Sequence, residues 1–137
     1  MPDSFSGGCA CGSIRYESSS APVAMLNCHC RDCQRASGGA VSSLVVVPEA
    51  RLAVKGEPKY YVTEPEPGRT LRRGFCAKCG SPLFGFAASL PGLAIIKVGS
   101  LDDPSWFKPM FDMWTSSAHP WDVMDPSLPK FPKTRPR

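Results

Sequence analysis

The sequence predicts an all-β domain with short loops and little helix. Proline and glycine, with 15 and 12 residues, make up about a fifth of the 137-residue chain. This is a high share of turn formers, yet it stays below the level of disordered chains. Short segments of alternating or β-branched character recur between the turns, which is typical of strands joined by hairpins and loops.

Nine segments have this strand character. The length of the chain suits one domain rather than two. A turn or two of helix is expected at 31–37 and near 104–107, where the strand pattern breaks. The predicted strands cover 13–17, 23–27, 41–47, 51–54, 59–63, 71–75, 83–86, 94–98 and 110–114.

The positive charge is concentrated at the C-terminal end. The formal net charge is +4, from 16 basic and 12 acidic residues. Lys130, Lys133, Arg135 and Arg137 lie in 126–137, which holds no acid, so 1–125 balances at twelve basic and twelve acidic residues. We therefore expect a domain over 1–125 and a basic, Pro-rich, solvated tail over 126–137, unless Phe131 docks. The balanced domain argues against nucleic acid as a partner.

Neither a membrane span nor an export signal is evident in the sequence. No apolar run approaches the roughly 18 residues that cross a bilayer. The first residues show no basic segment followed by an apolar one, as a secretory signal requires. We therefore expect a cytoplasmic protein whose thiols stay reduced.

Seven cysteines fall into three groups by their spacing. An odd number cannot pair completely as disulfides, and clustered reduced thiols indicate metal binding or catalysis. The groups are Cys9-x-Cys11, Cys28-x-Cys30-x-x-Cys33 and Cys76-x-x-Cys79.

Ligand counting divides these cysteines into four and three. Structural zinc sites use four protein ligands, whereas catalytic sites use three and keep one position open. The glycine-flanked turn of Cys9 and Cys11 is the natural complement of the turn of Cys76 and Cys79, so we predict a structural zinc on these four. A different partition of the ligands and redox pairs are the alternatives.

The remaining group, Cys28, Cys30 and Cys33, then supplies three ligands and leaves one position open, as a zinc Lewis acid needs. The alternatives are a site closed by His29, Asp32 or another residue, and a set of metal-free thiols. Alternation along an extended chain points the His29 side chain away from both neighbouring cysteines, so we expect no ligand role for it.

These cysteine groups and their surroundings resemble a known family over residues 7 to about 132. The segments that carry the resemblance are 8–16 around Cys9 and Cys11, 27–35 around Cys28, Cys30 and Cys33, 74–83 around Cys76 and Cys79, 98–104, the pair Trp114 and Trp121, and Leu128-Pro129-Lys130-Phe131. The chain resembles the glutathione-dependent formaldehyde-activating (GFA/CENP-V type) family. The resemblance implies an Mss4-like fold of zinc-stapled antiparallel sheets, with one structural zinc and one labile zinc at the two cysteine sets.

The resemblance also implies a function, a carbon–sulfur lyase that joins or parts glutathione and formaldehyde, or a similar thiol and aldehyde. Cys28, Cys30 and Cys33 would then be catalytic. Arg31 and Arg35, beside them, are candidates to bind the glutathione carboxylates, with solvated surface charges as the alternative. A non-catalytic zinc module is the alternative function. Asp112 departs from the family pattern, which has a histidine there, so the substrate is left open.

Overall fold

The computed structural model describes residues 1–136, and this part of the chain contains eleven strands and one α-helix. No helix within it is both long enough and apolar enough to cross a membrane. The strands are β1 (Phe5–Gly8), β2 (Arg15–Ser18), β3 (Ala24–Cys28), β4 (Ser42–Pro48), β5 (Leu52–Lys55), β6 (Lys59–Thr63), β7 (Leu71–Phe75), β8 (Pro82–Ala87), β9 (Leu93–Lys97), β10 (Phe111–Met113) and β11 (Lys130–Phe131). The helix α1 spans Arg31–Ser37, and 3-10 turns cover Glu49–Arg51, Val98–Ser100, Pro104–Trp106 and Thr115–Ser117.

The strands form two sheets, which confirms the all-β fold class. The small sheet has the order β1-β2-β5 and the large sheet the order β11-β10-β3-β4-β9-β8-β7-β6. Most neighbours are antiparallel, but β10 runs parallel to both β3 and β11. Parallel neighbours need a long connection, and the 114–129 segment between β10 and β11 provides one.

The two faces of the large sheet bury different clusters. Met25, Val45 and Ile96 point to one face and pack with Tyr16 of the small sheet. The alternate residues, such as Leu44, point to the other face and pack with Cys28, Cys33 and Phe111. Because successive side chains of a strand point to opposite faces, β4 is apolar on both sides and lies at the centre of the fold.

The predicted elements agree with this structure where the local pattern is strong. The helix at 31–37 and the strands at 59–63 and 71–75 have the predicted bounds. Two strands were not predicted. β1, Phe-Ser-Gly-Gly, has little β propensity of its own and forms through pairing with β2. β11 has only two residues and lies between prolines.

The C-terminal segment is not solvated throughout, which corrects the expectation for 126–137. β11 pairs with β10, and the Phe131 ring meets Phe111 edge-on with the ring centroids 5.7 Å apart. The backbone N–H of Trp114 donates to the carbonyl oxygen of Lys133 over 3.1 Å. The alternative of a docked Phe131 therefore describes this segment, because its apolar ring completes the cluster around Phe111. Arg137 lies outside the described residues.

Docking of β11 predicts a loss of stability in the Phe131→Ala variant. We expect its unfolding free energy to fall by about 2 kcal/mol, roughly half the value for a fully buried phenylalanine, because Phe131 is half-buried. Urea denaturation measures the change. Val123→Ala, at a residue 94% exposed in the connection that precedes this segment, is the control and should leave the midpoint unchanged. Equal stability of the two variants would contradict the docking.

Candidate metal centres and the three-cysteine site

The first cysteine cluster joins two distant turns. Cys9 and Cys11 follow β1, and Cys76 and Cys79 follow β7. The four sulfur atoms all lie within 4.8 Å of one another. The Sγ–Sγ distances are 3.6 Å for Cys9 and Cys11 and 3.7 Å for Cys11 and Cys76. Two thiolates bound at 2.3 Å to a tetrahedral zinc lie about 3.8 Å apart. These two separations therefore match those around such an ion, and the other sulfurs of the group lie within 4.8 Å.

The two turns of this cluster are built alike. The N–H of Gly12 donates to the Cys9 carbonyl over 3.1 Å, and the N–H of Gly80 donates to the Cys76 carbonyl over 2.8 Å. Both glycines have positive φ, 79° and 77°, a conformation that glycine adopts readily. Each turn thus curls beneath its first cysteine and presents both sulfurs on one side.

A serine follows each turn and contacts the sulfurs. The Ser13 hydroxyl lies 3.1 Å from Cys11 Sγ and 3.3 Å from Cys76 Sγ, and the Ser81 hydroxyl lies 3.2 Å from Cys79 Sγ. The hydrogen bond from Ser81 lowers the pKa of Cys79 to about 5. The sequence does contain a signal for these serine contacts, which ligand counting does not use. It is the tripeptide Cys-Gly-Ser, which occurs at both 11–13 and 79–81.

The second cysteine cluster lies at the end of β3 and the start of α1. The sulfurs of Cys28, Cys30 and Cys33 lie within 4.8 Å of one another, with Cys28 and Cys33 buried and Cys30 half-buried. Cys30 is the N-cap of α1, and its sulfur accepts a hydrogen bond from the Cys33 N–H over 3.3 Å. The structure thus groups the seven cysteines as four and three, and each group can hold a metal ion.

The three thiols differ in acidity because they share hydrogen bonds. Hydrogen bonds from the Cys28 and Cys33 thiols lower the pKa of Cys30 to about 2, and the charge of Arg73 lowers it further. The same contacts, together with burial, raise the pKa of Cys28. Cys30, the most accessible of the three, is therefore the thiol that ionises first.

Two cations beside this cluster were not predicted from the sequence. The Lys97 ammonium donates to the Ser42 hydroxyl over 3.0 Å, and that hydroxyl donates to the Cys33 carbonyl over 3.1 Å. Burial lowers the pKa of Lys97, while the charges of the cysteines oppose the shift. Lys97 and Arg73 lie on strands far from the cysteine motif in sequence, so only strand register could have revealed them.

His29 lies between two of the cysteines but does not join the cluster. Its Nε2 lies 2.8 Å from Asp112 Oδ1 and its Nδ1 lies 2.5 Å from Asp122 Oδ2. Asp112 also accepts a hydrogen bond from the Lys130 ammonium over 2.9 Å. Both ring nitrogens of His29 therefore contact carboxylates, and neither contacts the cysteine sulfurs grouped beside it. Asp112 is buried in this network and not open to a substrate.

The two arginines beside the cluster have different surroundings. Arg31 donates to the side-chain oxygen of Gln34, which also lies 2.8 Å from Nε2 of His119. The His119 ring stacks on Trp121, with centroids 5.0 Å apart. Arg35 points to solvent with its side chain 68% exposed and lies 3.8 Å from Asp32. Arg31, Gln34, His119 and Trp121 thus form an ordered rim beside the cluster. Arg35 is not part of this rim.

Trp114 completes the rim in an uncommon backbone conformation. Its φ of 58° lies in the left-handed region, which is rare for a residue with a large side chain. The indole packs against the cluster that contains Cys28 and Cys33, and the Arg69 guanidinium lies 5.5 Å from the centre of its ring. Such strained residues often accompany functional sites.

Comparison with known proteins gives this arrangement a family. Residues 4–117 match the family described as glutathione-dependent formaldehyde-activating enzyme. The chain belongs to this family. A relative from Penicillium rubens, named provisionally as a glutathione-dependent formaldehyde-activating enzyme, is 32% identical over 93% of this chain and 73% of its own length.

A solved structure supports the fold of this GFA-family chain. A Rhodobacter sphaeroides protein from a structural genomics project superposes with a TM-score of 0.60. The alignment covers 93% of this chain and 99% of that protein, at 16% sequence identity. At that level of identity the likeness concerns the fold alone.

The network around His29 predicts a large effect of the Asp112→Ala substitution. The change removes the buried carboxylate that contacts both Nε2 of His29 and the Lys130 ammonium, while Asp122 still contacts Nδ1. We therefore expect the unfolding free energy to fall by about 3 kcal/mol. Thermal and urea denaturation measure this change. The control is Glu57→Ala at an exposed carboxylate, which should change stability little. If the two variants unfold alike, the network does not stabilise the site.

Proposed function

We propose that the chain is a zinc-dependent carbon–sulfur lyase that forms or cleaves the adduct of glutathione, or a similar small thiol, with formaldehyde or another small aldehyde. The observation that carries the proposal is the cluster of Cys28, Cys30 and Cys33. Three sulfurs meet there, and within the described chain no histidine or carboxylate is grouped with them as a fourth ligand. Three protein ligands and an open position are the pattern of catalytic zinc.

The donor sets support zinc at both clusters. All seven ligand atoms are thiol sulfurs, which suit zinc better than hard cations such as magnesium or calcium. Four ligands close the site of Cys9, Cys11, Cys76 and Cys79, which we propose to be structural. The described cysteines form no disulfide, as suits the reducing cytoplasm in which we place the protein.

The proposed reaction adds a thiol across a carbonyl without oxidation or reduction. The S–H bond breaks, a carbon–sulfur bond forms, and the carbonyl oxygen takes up a proton; cleavage reverses these changes. Zinc supplies stabilisation of a thiolate or polarisation of the carbonyl. Cys28 and Cys33 hold the site from within the core, and Cys30 lies at its accessible side.

Arg31 and Arg35 are our candidates for binding the two glutathione carboxylates. Arg31 is the better placed, because its hydrogen bond to Gln34 orders it at the rim beside His119. Arg35 is more exposed and would exchange its contact with Asp32 for one with the substrate. An exposed ion pair stabilises little, so this exchange costs little.

The different roles of the two clusters predict different effects of two matched substitutions. Cys76→Ser should lower the melting temperature strongly or prevent folding, because metal binding at a structural site is largely folding free energy. Cys30→Ser should keep the fold and lose one metal ion together with the activity. Circular dichroism melts and metal analysis measure both effects; the unmodified protein should hold two zinc ions, one of them released more readily to chelators. Identical melts of the variants would contradict the assignment.

The activity itself is tested by exchange spectroscopy of the glutathione–formaldehyde equilibrium. The reaction is facile without a catalyst, so the measurement is the exchange rate with and without protein at equal thiol concentration. We expect the unmodified protein to accelerate exchange and Cys30→Ser to give the uncatalysed rate. Exchange that the protein does not accelerate would overturn the lyase proposal and favour a non-catalytic zinc module.

A further inference from the structure

Two cations share the face of the large sheet that carries the three-cysteine cluster. Cys28 is in register with Ser42 on β4, and Leu44, two residues further on the same face, is in register with Lys97 on β9. Across the next strands Ile95 is in register with Gly85, and Gly85 with Arg73 on β7. Residues in register lie on one face of a sheet. Lys97, Arg73 and Cys28 therefore point to the same side.

The absence of a side chain at Gly85 leaves space between these strands. An added Cβ there would meet nothing closer than Ile95 Cβ at 3.8 Å. No side chain on β8 therefore stands between Arg73 on β7 and Ile95 on β9. The charge of Arg73 acts on both Cys30 and Lys97, and Lys97 in turn interacts with all three cysteines. The two cations and the three sulfurs thus form one electrostatic group.

Neither cation has an acidic partner in the described chain. Among residues 1–136, the ion pairs with Asp or Glu involve other basic residues, and the hydrogen bond of Lys97 goes to the Ser42 hydroxyl. Both side chains belong to half-buried residues. Two neighbouring like charges that are partly removed from water are unfavourable unless anions face them.

The cysteines can balance only part of this charge. Three thiolates with one divalent ion carry a single net negative charge, whereas Lys97 and Arg73 together carry two positive charges. One positive charge would then be left over beside the cluster. A second anion bound there would make the group neutral.

We propose that Lys97 and Arg73 bind the thiolate of the substrate at the face of the three-cysteine cluster. The inference rests on the proposed function and assigns it two positioning residues on β9 and β7. Their position favours the thiolate over a glutathione carboxylate, because both cations interact with the sulfurs themselves. The ordered rim at Arg31 lies on a different element, after β3, and remains available to a carboxylate.

The test is a ligand titration of cobalt-loaded protein, in which absorption bands report a new sulfur ligand. Three probes separate the sources of the anion: glutathione, 2-mercaptoethanol, which has no carboxylate, and S-methylglutathione, which has no thiol. In Lys97→Met and in Arg73→Met we expect the affinity for glutathione and 2-mercaptoethanol to fall about tenfold or more, the range of a charge-assisted contact. The affinity for S-methylglutathione, followed calorimetrically, should not change.

The matched control is Arg72→Met. Arg72 neighbours Arg73 on β7 but stacks on the rings of Tyr60 and Phe86, at 4.6 and 4.8 Å, on the other face of the sheet. The substitution removes the same charge and should leave all three affinities unchanged. If the affinity of Arg72→Met for the thiols falls as much as that of Arg73→Met, the effect comes from net charge alone and the proposal is overturned.

Other outcomes also decide the question. Unchanged thiol affinity in both variants overturns the proposal, and so does a loss confined to glutathione and S-methylglutathione, which would assign the cations to carboxylates. Loss of the second metal from both variants would overturn it as well, because the charges would then serve the cysteines alone. If even the unmodified cobalt protein responds to no thiol, the proposed function itself fails. This outcome is distinct from failure of the present proposal, in which the unmodified protein responds and the variants respond equally.

Discussion

The crowding of seven sulfur atoms into two groups is the constraint on which the rest of this structure depends. Each group is held within 4.8 Å, and thiolates at that distance repel one another unless a cation lies among them. The larger group connects Cys11 to Cys76, which are 65 residues apart. An ion there would fasten the small sheet to the end of β7, and the folding of the domain and the binding of metal would then become one event.

The large sheet keeps the four-cysteine group apart from the three-cysteine group. Cys9 and Cys76 belong to the core on one face, whereas Cys28 and Cys33 belong to the cluster on the other. Because strand residues alternate between faces, a single strand such as β4 supports both. The proposed structural site and the proposed reactive site would therefore respond differently to loss of metal.

The charges around the three-cysteine group are distributed unevenly. The carboxylates of Asp112 and Asp122 bond the buried His29, which anchors the segment after β10 to the cysteine loop. Lys97 and Arg73 have no such partner in the described chain. Acidic groups are thus used to build the wall of the site, while basic groups face the sulfurs, an arrangement that favours an anionic substrate over a cationic one.

Sequence alone determined the all-β class, the helix at 31–37, the division of cysteines into four and three, and the exclusion of His29, because turn residues, ligand spacing and strand alternation act over a few residues. Strands β1 and β11, the bonding of Asp112 to His29 and the approach of Lys97 and Arg73 to the cysteines were decided by the tertiary structure. They depend on pairing between segments far apart in the chain, and a shift of one residue in strand register would turn each of these side chains to the opposite face.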